Sequence, residues 1–144
     1  MGGKPMLFSR ILTMALLGGF VAAAQDSKPN LSGNWQLKAP AKTASAMTLV
    51  IEQKDNAIHV VRTVTNADGK VVKLDCQCTT DGKECEVPGS KVCLWFDKQA
   101  LVEMDAGGDA VNKVTMRLDG TTLKMEVEHI SPDGDAETYV FEKL

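Results

Sequence analysis

Four cysteines, Cys76, Cys78, Cys85 and Cys93, fall within one 18-residue stretch and are the residues with the widest chemical reach in this sequence. As thiolates they could hold zinc or copper(I). As a redox pair they could exchange disulfides, and as an even, clustered set they could be structural disulfides. Tetrahedral zinc sites use wider spacing than the Cys-x-Cys of Cys76 and Cys78. No Cys-x-x-Cys at a helix start is present to mark a redox centre. Structural disulfides are therefore the expectation, and no metal ligand is assigned.

The other chemically capable residues are sparse. His59 and His129 are the only histidines. His129 continues the series Leu123, Met125, Val127 and so could reach an interior. His59 shares a face with Ala57, Val61 and Thr63. Glu126 and Glu128 alternate with apolar neighbours like a solvated strand face, and Glu103, between Val102 and Met104, reads as outward too. Ser32 and Ser45 have no base beside them, and no glycine-rich phosphate loop occurs. With no nucleophile, base and orienting group together, no catalytic residue and no cofactor is assigned, and the protein is read as a non-enzyme.

The compartment bears on the cysteines. Lys4 and Arg10 precede an uncharged apolar run, residues 11–24 (ILTMALLGGFVAAA), that ends in Ala22-Ala23-Ala24 and is followed by Gln25 and Asp26. This is the order of a cleaved secretory signal, and the run is shorter than the roughly 20 residues a membrane span needs. Residues 1–24 are thus expected to be a signal peptide, 25–30 a loose linker and 31–144 one domain. The destination is secreted or periplasmic, where disulfides persist. Without Lys4 and Arg10 the net charge moves from −3 to −5. No basic block remains for nucleic acid or an anionic membrane, and a monomer is expected.

The elements that must position these residues read as strands. Residues 31–38, 47–53, 57–64, 71–78, 91–96, 99–104, 111–118, 122–130 and 138–142 alternate apolar and polar positions or are dense in β-branched residues. Turn signals separate them: Asp68-Gly69, Asp81-Gly82, Asp119-Gly120, Asp133-Gly134, Asp55-Asn56 and Pro88-Gly89. Residues 39–46 read as a loop at most one helical turn long, and 105–110 as another loop. The pattern predicts an all-β antiparallel meander of eight to ten strands. Closure into an up-and-down barrel removes exposed edges.

Within that pattern Asp81-Gly82 as a two-residue hairpin sets Cys78 opposite Cys85, with β-carbons about 4.5–5.5 Å apart. The first pairing is then Cys78–Cys85, leaving Cys76 with Cys93. Cys93 lies on the opposite face from Val92, Leu94 and Phe96, so that second bond needs a bulge or a longer turn around Pro88-Gly89-Ser90. Cys76–Cys85 with Cys78–Cys93 is the alternative.

Gly33-Asn34-Trp35 at the start of the first strand resembles the Gly-x-Trp motif of lipocalins and the wider calycin barrels. The resemblance implies a lipocalin-like barrel whose closed end is plugged by Trp35, with Gly33 allowing close chain approach. Of the late arginine that packs over the tryptophan in that family, only Arg117 is a candidate. Residues 30–37 also resemble the SGTWKL-like opening of uncharacterised secreted bacterial proteins. Met47, Leu49, Met104, Met116, Met125 and His129 are the expected lining of a ligand cavity, since methionine suits permissive pockets.

The leading functional expectation is a secreted or periplasmic barrel that binds an apolar small molecule. A second is a structural or interaction protein with a self-filled barrel and Trp95 as an outward contact. A third is a thiolate metal-binding protein.

Overall fold

The computed structural model describes residues 28–144. The expected signal peptide and residues 25–27 lie outside the described residues. Ten strands follow one another: β1 (Gly33–Leu37), β2 (Ala46–Lys54), β3 (Ala57–Thr65), β4 (Val71–Thr79), β5 (Asp81–Val87), β6 (Ser90–Asp97), β7 (Ala100–Gly107), β8 (Ala110–Asp119), β9 (Thr122–Ser131) and β10 (Glu137–Lys143). All pairings are antiparallel, in the order β4-β3-β2-β1-β10-β9-β8-β7-β6-β5. The chain thus forms a nearly closed up-and-down barrel. Consecutive strands pair everywhere except at β4 and β5, and β1 pairs with β10 to bring the two ends of the meander together.

The turns form for local reasons. Asp55, at φ 53°, and Gly120, at φ 61°, supply the left-handed backbone that tight β2–β3 and β8–β9 hairpins need. Two expected turns differ. Asp81 and Gly82 belong to β5, and residues 105–107 extend β7, leaving Gly108-Asp109 as the β7–β8 turn. Residues 39–45 form a loop closed by reciprocal Ala41–Ala44 backbone hydrogen bonds.

Register assigns the inner face. Phe141, Leu49, Ile51, Ile58, Leu94, Leu101, Met116, Leu123 and Met125 are fully buried. Most lie in the half of the barrel nearer the β2–β3, β6–β7 and β8–β9 hairpins. Trp35 sits in this core, buried, and its Nε1–H donates to the Leu31 carbonyl at 3.1 Å. Lys143, its cross-strand partner, places Nζ 5.5 Å from the indole centroid. The cation over the tryptophan is therefore Lys143 on β10, and not Arg117, which is exposed on β8. A β-carbon on Gly33 would meet Lys143 Cε at 2.8 Å, so glycine here permits that packing. Residues 28–30, expected to be loose, are tied down: Lys28 Nζ donates to Asn56 Oδ1, and the Gln53 side-chain amide donates to the Pro29 carbonyl.

The buried indole predicts a stability test. Trp35→Ala, which leaves a cavity in the core and frees the Leu31 carbonyl, should lower unfolding free energy by about 3–5 kcal/mol in urea titrations.

Candidate functional site

The barrel wall is incomplete between β4 and β5. Neither strand forms a ladder with the other, and what spans them is the Cys78–Cys85 disulfide, with Cα atoms 5.8 Å apart. The expected pair is present, but not through a regular hairpin: Thr80 N–H donates instead to the Asn56 carbonyl.

The second expected pair does not form. Cys76 and Cys93 are both free. Cys76 lies opposite the inward Val60, whereas Cys93 lies opposite Met104 on the outer face. No bulge reverses Cys93, because β6 pairs with β7 in unbroken register from Lys91 to Asp97. The same ladder corrects the reading of β7. Glu103 lies opposite the buried Leu94, so Leu101, Glu103 and Asp105 point inward and Met104 points outward. Met104 is therefore no part of an interior cavity.

Inside this seam lies a cavity of about 320 Å³. Val60, Leu74, Val87 and Val92 give it apolar walls, and Arg62, Glu103, Asp105 and Cys76 give it a polar floor. Of the residues expected to line a cavity, Met47, Leu49, Met116 and Met125 are buried in the core instead. His129 lies at a separate rim depression of about 560 Å³, bordered by the 39–45 loop and residues 135–139. There His129 Nδ1 is 2.7 Å from Asn112 Oδ1.

Arg62 and Glu103 meet across the lumen from strands that are not neighbours. Arg62 Nη2 donates to Glu103 Oε2 at 3.5 Å, and the two side chains are 15% and 11% exposed. Arg62 Nε is buried with no partner. A guanidinium offers five N–H donors, and Arg62 lines the cavity with its Nε–H unpaired. Its inward position was visible in the alternation Ile58, Val60, Arg62, Val64. Glu103 was hidden because β7 is apolar on both faces, with Leu101 and Val102 both buried.

Two inward-facing ionisable groups are displaced. The Cys76 thiol is pushed up to about 11, first by burial, then by the negative charge of Glu103, with Asp105 and Asp75 adding and Arg62 opposing. Tyr139 is raised above its ordinary value by burial and by its hydrogen bond to Glu137, while Thr43, 2.8 Å from the phenol oxygen, acts the other way. Outside the barrel, His59 Nε2 is 2.6 Å from Asp75 Oδ1. No group of three or more potential metal ligands occurs among the described residues. Cys78 and Cys85 are committed to their disulfide, and Cys93 faces away from Cys76, so the four sulfurs do not converge on a thiolate metal site.

No protein-family model and no curated protein matches the sequence. Solved structures do. The REP1-NXSQ fatty acid transporter superposes with a TM-score of 0.60 at 16% identity, over 79% of this chain and 96% of that one. This is the fold of fatty-acid-binding barrels. Fatty-acid-binding protein 1 of Echinococcus granulosus gives a TM-score of 0.60 at 11% identity, over 79% and 97% of the two chains. The fluorescent protein UnaG gives 0.57 at 13% identity, over 79% and 97%. The calycin-type barrel expected from Gly33 and Trp35 is thus the fold found; at these identities the likeness is one of fold.

Two measurements check the site. Glu103→Gln should destabilise the protein by about 1–3 kcal/mol, because it strips a nearly buried guanidinium of its counter-charge, and Arg62→Met with Glu103→Leu should recover most of that loss in urea titrations. Tyr139 is the only tyrosine, so ultraviolet titration reads it alone. Its midpoint should lie above the ordinary tyrosine value in the folded protein and move down in Glu137→Gln, which replaces the charged acceptor of the phenol proton with a weaker neutral one and removes the charge that repels the phenolate.

Proposed function

We propose that this protein is an exported binding protein for a small, mostly apolar molecule carrying one polar, hydrogen-bond-accepting group. The observation that carries the reading is the seam cavity, with its apolar walls and an under-used guanidinium at its floor. Burial of the apolar part against Val60, Val87 and Val92 supplies affinity, at about 25 cal/mol per Å² removed from water. The head group accepts from the Arg62 guanidinium, which orients it. The fatty-acid-binding names of its structural neighbours support an apolar ligand. At about 30 Å³ per water-sized group, 320 Å³ holds on the order of ten non-hydrogen atoms. The size meets the lower end of ligand pockets, about 300 Å³.

The leader-like residues 1–24 support export to a secreted or periplasmic location, and the Cys78–Cys85 bond suits an oxidising compartment. In this reading the barrel binds and releases without chemical change to the ligand, and acts as a monomer.

Displacement of an environment-sensitive apolar dye tests it. Short alkyl chains ending in a carboxylate or carbonyl should displace the dye better than the same chains ending in an amine or a methyl group. Leu74→Trp, at the exposed mouth, should weaken displacement about tenfold or more, near 1.4 kcal/mol. A protein that neither takes up the dye nor responds to Leu74→Trp has a self-filled barrel, and the binding reading fails.

A further inference from the structure

The strap across the seam has a third cysteine against it. Cys76 Sγ lies 3.3 Å from Cys78 Sγ, closer than ordinary carbon contacts of about 3.5–4.0 Å, while Cys78 is bonded to Cys85. Cys76 and Cys78 are two residues apart on one strand, so their side chains share a face. An extended Cys-x-Cys sets its Cα atoms about 6.6 Å apart, inside the disulfide range of about 4.4–6.8 Å. β4 has no ladder partner on its β5 side, so it can bend to bring the two sulfurs together.

We propose that Cys76 exchanges with the Cys78–Cys85 disulfide, making the bond between the two edge strands a switchable one. The Cys76 thiol loses its proton to water, and its sulfur attacks Cys78 Sγ. A Cys76–Cys78 bond forms as the Cys78–Cys85 bond breaks, and the electron pair leaves on Cys85 Sγ, which takes up a proton. One disulfide and one thiol remain, so the step needs no oxidant or reductant. The product has no disulfide between β4 and β5, which stay joined only through the backbone at Thr80, and the seam cavity can widen away from that connection.

The surroundings hold the exchange in check. Cys76 faces Arg62 from β3, Glu103 and Asp105 from β7, and Asp75 and Lys73 of its own strand; Val87, Pro88, Ser90 and Val92 from the β5–β6 side carry no titratable group. Burial and the carboxylates keep the thiol protonated at neutral pH, so the attacking thiolate is scarce and exchange accelerates with alkali. The inference stands apart from the binding reading and does not need a ligand.

Tryptic mapping of the purified protein tests it. Cuts after Lys73, Lys83, Lys91 and Lys98 place Cys76 and Cys78 together in peptide 74–83, Cys85 in 84–91 and Cys93 in 92–98. After incubation at stepped pH, thiols are blocked with a maleimide in mild acid before digestion. The expected product is peptide 74–83 with an internal disulfide and 84–91 carrying maleimide on Cys85. Its rate of appearance should rise about tenfold per pH unit towards the thiol's value near 11. In Cys76→Ser the cross-link between 74–83 and 84–91 should persist throughout. A wild-type cross-link that survives with maleimide only on Cys76, or a link from either peptide to 92–98, overturns the proposal.

Discussion

The structure depends on how a ten-strand meander manages its last closure. Nine neighbouring pairs satisfy their backbone groups in ladders, including β1 with β10, but β4 and β5 do not pair. The unpaired edges would ordinarily cost stability and invite pairing with other chains. Here a single covalent bond, Cys78–Cys85, holds them together at the end near the β4–β5 connection. Towards the other end the strands diverge, and the space between them is the cavity.

That division organises the interior. Near the β2–β3, β6–β7 and β8–β9 hairpins the lumen is filled by its own side chains, from Leu31 and Trp35 to Met116, Met125 and Phe141. This packed half supplies much of the hydrophobic stabilisation, and Met116 and Met125 belong to it. The half nearer the 39–45 loop is polar, with Arg62, Glu103, Asn112, His129 and Tyr139 on inward positions. A buried guanidinium with one long contact to a carboxylate is poor value as a source of stability, since desolvating the two charges offsets much of their attraction. Its position at the floor of a cavity makes sense when a third group completes it.

Much of this was legible from the residues. Alternation and turn chemistry located nine of the ten strands; β5 was missed because Asp81-Gly82 read as a two-residue turn, and the Cys78–Cys85 pair inferred from that turn is present although the hairpin is not regular. Gly33 and Trp35 were placed on the first strand with Trp35 buried, and both hold. What escaped has definite physical causes. β7 is buried on both faces, so alternation alone could not orient it, and Glu103 exchanged places with Met104. Only its pairing with Leu94 and Val114 decides which is inside. Arg62 was passed over because its strand is dense in β-branched residues on both faces, although its parity with Ile58 and Val60 placed it inward. Cys93 was read on the outer face, and the bond to Cys76 required a bulge that β6 does not contain. Lys143 over the Trp35 ring depends on the β1–β10 pairing between the two ends of the meander, which local patterning does not contain.

Hydrogen exchange read by mass spectrometry, with and without a bound short-chain carboxylate, tests most directly whether the seam is where a ligand enters. The free protein should exchange fast along residues 71–76 and 87–90, where β4 and β5 leave amides unpaired, and slowly around Trp35, Met116 and Phe141. Ligand should slow exchange in residues 60–76 and 87–105 and leave the packed half unchanged. Protection confined to residues 39–45 and 129–139 at the rim, or none anywhere, would contradict the account.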